Sequence, residues 1–120
     1  MQHYLTYGQL FAIEQDLIKV QKNSPGLSFL LDNRARLFFQ RAAVSLKIMH
    51  LGLQAIRDKY IRQDEKGNSK TIGEGDERQW DFVETYTDIK NAAILTGQQI
   101  EKIYLDDTNA FMATTTKIDF

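Results

Sequence analysis

The feature that most constrains this 120-residue chain is a row of apolar side chains spaced alternately four and three residues apart. This first row consists of Ala35, Phe39, Ala42, Leu46, Met49, Leu53, Ile56 and Tyr60. Alternate steps of four and three keep side chains on one side of an α-helix. The sequence therefore predicts one long helix over residues 28–63, with the first row packed against a neighbouring element.

A second apolar row lies alongside the first and contains Leu37, Val44, Ile48 and Leu51. A contact between two helices uses only one such row. The second row therefore predicts that the long helix has a second neighbour, either within the chain or in another subunit.

A third row of the same spacing follows in residues 76–104, which we predict to be another helix. Its members are Phe82, Tyr86, Ile89, Ala93, Thr96, Ile100 and Ile103. Residues 64–75 are predicted to form an exposed turn, since Gly67 and Asn68 both tolerate positive φ. Two helices with matching rows and a short connection predict a long antiparallel helical hairpin.

The two ends of the chain predict smaller elements. Thr6 and Gln9 form a T-x-x-Q capping box, so a helix is expected over 6–22, ended by the Asn23–Gly26 segment. Residues 2–5 and a C-terminal strand over 114–120 can pair as a two-stranded β ribbon. The fold predicted overall is mainly α, with residues 1–120 forming a single helical domain.

Composition excludes several classes of protein. Hydrophobic residues make up 42% and charged residues 26% of the chain, as in ordinary globular domains. The absence of cysteine excludes disulfides and thiolate metal sites. No apolar run approaches the roughly 20 residues of a membrane-spanning helix. The N-terminus lacks the pattern of a signal peptide, so we do not expect secretion by that route, and an intracellular or virion-type protein fits the composition.

Motifs for catalysis are missing from the sequence. It contains no nucleotide-binding glycine motif, no nucleophile elbow and no H-E-x-x-H zinc motif. Its only histidines, His3 and His50, have no nearby partner in the sequence for a metal site. The Asp64–Asn68 segment resembles a calcium loop only superficially, because Lys66 stands where a ligand is required. We therefore expect no catalytic residue, cofactor or metal ion, and no enzymatic activity.

Charge is distributed unevenly along the chain. Residues 1–62 contain nine Lys/Arg and four Asp/Glu, whereas residues 63–120 contain six and twelve. The preferred interpretation is that the two halves pack together and partly neutralise each other. The alternative is that the basic long helix binds nucleic acid.

The chain has more large apolar side chains than its rows require. We predict that the surplus forms an interface with a partner or with a second copy. The predicted interface residues are Leu37, Phe38, Val44, Ile48, Leu51, Trp80, Tyr104 and Phe111. The alternative is that the N-terminal helix and C-terminal segment cover the aromatic members of this set.

Four short motifs appear in order: H-Y-L-T-Y-G-Q (3–9), R-D-K-Y (57–60), D-E-K-G-N (64–68) and T-T-K-I-D-F (115–120). In this order of features the chain resembles small helical proteins of unknown function encoded by tailed phages and prophages. It departs from them in the longer stretch between Trp80 and the final strand. The resemblance implies a structural or assembly role and no catalytic residues.

The sequence therefore predicts a non-enzymatic phage or prophage protein that acts through helical packing. Its expected partner is a second copy of itself, in a homo-oligomer, or other virion proteins. Two alternatives remain: a small nucleic-acid-binding regulator that uses the basic long helix, and a helical inhibitor of a host protein.

Overall fold

The computed structural model describes the backbone of residues 2–23 and 29–119, and the side chains of residues 2–20 and 33–119. The described chain forms three α-helices: α1 (Tyr7–Asn23), α2 (Phe29–Tyr60) and α3 (Gln98–Met112). It also forms six short strands: β1 (Gln2–Thr6), β2 (Thr71–Ile72), β3 (Gln79–Trp80), β4 (Thr85–Asp88), β5 (Ala93–Thr96) and β6 (Thr115–Asp119). The predicted turn at Ser24–Gly26 lies outside the described residues.

The described strands pair into three antiparallel two-stranded sheets, β1–β6, β2–β3 and β4–β5. The chain also divides into two compact units. Unit 1 comprises Met1–Leu51 and Ala110–Phe120, and unit 2 comprises Gly52–Asn109. The prediction of a single domain over residues 1–120 stays a prediction.

In unit 1 the chain ends pair as β1 and β6, from Gln2 opposite Asp119 to Thr6 opposite Thr115. The capping box at the start of α1 is confirmed. The Gln9 amide donates to Thr6 Oγ1 at 3.0 Å, and the Thr6 amide donates to Gln9 Oε1 at 2.9 Å. These two bonds satisfy backbone donors at a point where the chain passes directly from strand to helix.

The first row of α2 is confirmed as its buried face. Its most buried members are at most 8% exposed: Ala35, Ala42, Leu46, Met49, Leu53 and Tyr60. In unit 1, Tyr7 and Leu10 of α1 and Ile118 of β6 are also buried. The core of unit 1 therefore consists of residues from α1, α2 and the terminal ribbon.

Two polar pairs accompany the core of unit 1. The Ser45 and Thr116 hydroxyl oxygens are 2.9 Å apart. His50 Nε2 lies 2.9 and 3.0 Å from the two carboxylate oxygens of Glu14, a residue only 7% exposed. Each pair joins α2 to a different element, β6 or α1, and together they fix how α2 is rotated about its axis.

The predicted helix over residues 76–104 is wrong, and with it the mainly α fold class. Residues 79–96 instead form β3, β4 and β5, and only the end of the third row, Ile100 and Ile103, is helical. Ile89 lies in a turn and is 91% exposed. The long helical hairpin therefore does not form, and the fold is a mixed α and β structure.

The physical reason is that residues 85–96 also fit a period of two. The β4 segment Thr-Tyr-Thr-Asp alternates exposed and half-buried side chains, and the β5 segment Ala-Ile-Leu-Thr alternates them in the opposite phase. β-branched and aromatic residues suit this pleated pairing. Asp88 closes the turn between the strands by accepting from the Lys90 amide at 3.1 Å.

The predicted reversal after α2 is present. Asp64 Oδ1 accepts from the amides of Lys66 and Asn68, each at 2.9 Å, and Gly67 has a φ of 81°. The Asp64 carboxylate therefore holds a turn together at this segment.

Candidate protein-binding surface

The second row of α2 is exposed in unit 1. Its four residues, Leu37, Val44, Ile48 and Leu51, are 46%, 73%, 49% and 61% exposed. We name this set the outer face of α2. Four large aliphatic side chains in one row on a helix form an apolar patch of the kind found at protein–protein interfaces.

The position of the outer face follows from the burial of the first row. Ala42, Leu46 and Met49 fill the core side of the helix. Val44 and Ile48 are offset from that row by positions that point away from it on a helix of 3.6 residues per turn. The contacts of Ser45 with Thr116 and of His50 with Glu14 hold α2 in this rotation.

Basic side chains lie within and beside the outer face. Arg41 lies in line with the row between Leu37 and Val44, whereas Arg34, three residues from Leu37, and Lys47, three residues from Val44, lie on its two edges. These three residues are exposed, and none makes an ion pair within residues 33–119 or 2–20. Residues 33–51 contain no Asp or Glu.

Within unit 1, the structure uses two of the predicted interface aromatics for internal packing. Phe111 stacks on Tyr7, with ring centroids 4.8 Å apart and planes 5° from parallel. Phe38 is half-buried and meets Phe39 edge to face at 5.7 Å. Covering by α1 and the C-terminal segment, the alternative left open by the sequence, thus accounts for Phe111.

The other two predicted interface aromatics pack within unit 2. The guanidinium of Arg57 lies 5.6 Å from the centre of the Trp80 ring, at cation–π distance. Tyr104 packs edge to face on Phe82 at 5.5 Å and on Tyr60 at 6.4 Å. The eight predicted interface residues therefore do not form one surface, and the four aliphatic ones make up the outer face. The interface prediction itself stays a prediction.

Unit 2 also contains a cavity of about 390 Å³ beside Tyr60, with both polar and apolar lining. It is lined by Lys59, Tyr60, Tyr86, Asp88, Ile89, Lys90, Asn91, Ile103 and Asp107. The Tyr60 hydroxyl donates to Asp107 Oδ2 at 2.5 Å. Burial, together with the hydrogen bond to the Asp107 carboxylate and its charge, raises the pKa of Tyr60 far above its usual value. Tyr60 thus stays protonated and acts as a structural donor.

A second carboxylate of this cavity, that of Asp88, also makes hydrogen bonds. Asp88 accepts from the side-chain amide of Asn91 at 2.9 Å and from the backbone of Lys90. In residues 2–23 and 29–119 no three His, Cys, Asp or Glu side chains are grouped so that they could hold a metal ion. Over the same residues, no helix combines the length and apolar character needed to cross a lipid bilayer.

A scan against protein-family models, a search of curated proteins and a search of solved structures found no match to this chain. Sequence reasoning identified the apolar residues of the outer face. It did not recognise that Arg41 lies among them and that Arg34 and Lys47 border them, although the i, i+3 and i, i+4 spacings contain that signal.

Proposed function

We propose that this protein is a non-enzymatic assembly protein of a tailed phage or prophage, and that it acts by binding protein through the outer face of α2. The supporting observation is the exposure of Leu37, Val44, Ile48 and Leu51 in one row, opposite a row whose members are buried or half-buried. Burying exposed aliphatic area of this kind under a second protein removes it from water, which favours association.

The phage setting has a different support. It rests on the resemblance in motif order and on the absence of catalytic motifs from the sequence. The outer face of α2 supports the protein-binding part of the proposal, and it does not bear on the phage setting. A virion or host-cytoplasm location belongs to the same proposal.

The test compares the wild-type chain with a double variant, Val44→Ser and Leu51→Ser, which removes apolar area without changing charge. Ala43→Ser is the matched control, because Ala43 is exposed on α2 but lies outside the row. Light scattering over a range of concentrations measures self-association. Affinity capture from the native source, with quantitative mass spectrometry, measures binding to other proteins.

The proposal expects either an oligomer or a captured protein that the wild type and Ala43→Ser share and that the double variant loses. Circular dichroism confirms that all three chains are folded. A wild-type chain that stays monomeric and captures the same proteins as the double variant would contradict the proposal.

A further inference from the structure

We propose that the protein bound to the outer face of α2 is a partner that presents an acidic amphipathic helix, with one carboxylate placed opposite Arg41. This inference rests on the proposed function and specifies the chemistry of its partner. It follows from three observations: the spacing of the row, the position of Arg41 within it, and the charge of its edges.

The spacing of the row favours a helix as the occupant. Val44, Ile48 and Leu51 continue the four-and-three steps of a heptad seam, and Leu37 lies one heptad before Val44. The fourteen steps from Leu37 to Leu51 rise about 21 Å, or nearly four helical turns. Side chains so spaced form holes that accept the knobs of a facing helix.

Arg41 occupies the seam position between Leu37 and Val44. A facing helix would therefore enclose its guanidinium between apolar side chains. A charge in such a place requires a partner of opposite sign that also accepts its hydrogen bonds. A Glu or Asp at the facing core position of the partner meets this need and fixes the register of the two helices.

Charge also argues against a second copy of the chain as the occupant. Two outer faces packed on each other would place Arg41 of both copies in one seam, with Arg34 and Lys47 of both copies along its edges. Residues 33–51 provide no carboxylate to separate them. Like charges at an interface disfavour that pairing, whereas Asp and Glu on the edges of a partner helix favour association.

The test measures binding of the full-length chain to a synthetic helical peptide of three heptads, labelled for fluorescence anisotropy. The acidic peptide has Leu at its core positions except for one central Glu, and Glu at the flanking positions. A second peptide replaces the central Glu by Leu. A third keeps the central Glu but has Lys at the flanking positions.

The wild-type chain is expected to bind the first peptide about tenfold more tightly than the second and much more tightly than the third. Arg41→Leu is expected to reverse the preference between the first two peptides. Added salt should weaken binding of the first peptide to the wild type. Ala43→Ser should behave as the wild type does, and Val44→Ser with Leu51→Ser should lose binding of all three.

Equal binding of the acidic and basic peptides would overturn the inference, as would an unchanged preference in Arg41→Leu. Binding only to phosphatidylserine vesicles or to a short DNA duplex would also overturn it, since either result identifies a different class of occupant. If no peptide binds but an oligomer sensitive to Val44→Ser is found, the inference fails and the proposed function stands. A chain that is monomeric and binds no protein through the outer face contradicts both the inference and the proposed function.

Discussion

At the residue scale, the Tyr60 hydroxyl makes a polar contact in the interior of unit 2. Tyr60 is only 2% exposed, and its hydroxyl donates to the half-buried Asp107 carboxylate at 2.5 Å. Tyr60→Phe should lower the free energy of unfolding by about 2 kcal/mol, because a hydrogen bond to a charged group is lost in a partly desolvated place. Urea denaturation measures the change.

The matched control for this substitution is Tyr4→Phe. Tyr4 is 69% exposed, so its hydroxyl is hydrated in both the folded and the unfolded chain. Its removal should therefore change the free energy of unfolding little. Equal effects of the two substitutions would show that the contact with Asp107 adds nothing to stability.

The stability that the Tyr60 hydroxyl provides should depend on alkaline pH. Burial and the Asp107 carboxylate raise the pKa of Tyr60 in the folded chain, so the folded state holds this proton more tightly than the unfolded state. The resulting stability is fully present below the unfolded pKa of about 10 and is lost as the pH rises above it. The difference in unfolding free energy between wild type and Tyr60→Phe should therefore shrink above that pH, as denaturation at several pH values would show.

The backbone conformation of Gly73 makes this position sensitive to substitution. Gly73 has a φ of 84°, and a Cβ built on it would lie 2.6 Å from the carbonyl oxygen of Glu77. Gly73→Ala therefore combines left-handed strain with a steric clash against backbone and should cost more than about 2 kcal/mol.

Gly67→Ala separates these two causes. Gly67 has a similar φ of 81°, but nothing lies within 4 Å of the added Cβ. It should cost only the left-handed penalty of about 1 kcal/mol. Thermal or urea unfolding of both variants tests the order, and a larger loss from Gly67→Ala would refute it.

At the scale of elements, the capping box sets the start of α1. Thr6→Ala removes the oxygen that accepts from the Gln9 amide at 3.0 Å, and should destabilise the chain by about 1 kcal/mol. Thr115→Ala, on the strand residue that pairs with Thr6, is the matched control, since it removes an exposed threonine without touching the cap. Chemical denaturation should show a larger loss for Thr6→Ala than for the control.

The elements also show how far the sequence determines the fold. The capping box and the first row of α2 were predicted because each is decided locally: by side chains that accept from backbone amides three residues away, and by one helical period over 32 residues. Residues 82–96 satisfied the same period. There, Tyr86 and Leu95 face each other across β4 and β5, and strand pairing, which joins distant residues, decided the structure.

At the scale of the whole molecule, the two units differ in the sign of their net charge. Unit 1 contains seven Lys/Arg and four Asp/Glu, whereas unit 2 contains eight and twelve. The sequence showed a basic first half and an acidic second half. It could not show that Lys117 belongs with the basic unit, because that placement depends on the pairing of β6 with β1 at opposite ends of the chain.

The pairing of the two chain ends yields a prediction for the connectivity of the chain. Gln2 lies opposite Asp119, so a short Asn-Gly linker between the two ends can close β6 and β1 into a hairpin. A circular permutant with new ends between Gly67 and Asn68, in an exposed turn, should keep its helical circular dichroism and stay within about 2 kcal/mol of the parent in urea denaturation. A permutant opened between Ala42 and Ala43 breaks α2 at a side chain with 0% exposure and should not fold. If both permutants folded equally well, an unbroken α2 would not be required to keep its first row buried. If both failed to fold, the two chain ends would not be close enough to accept the linker.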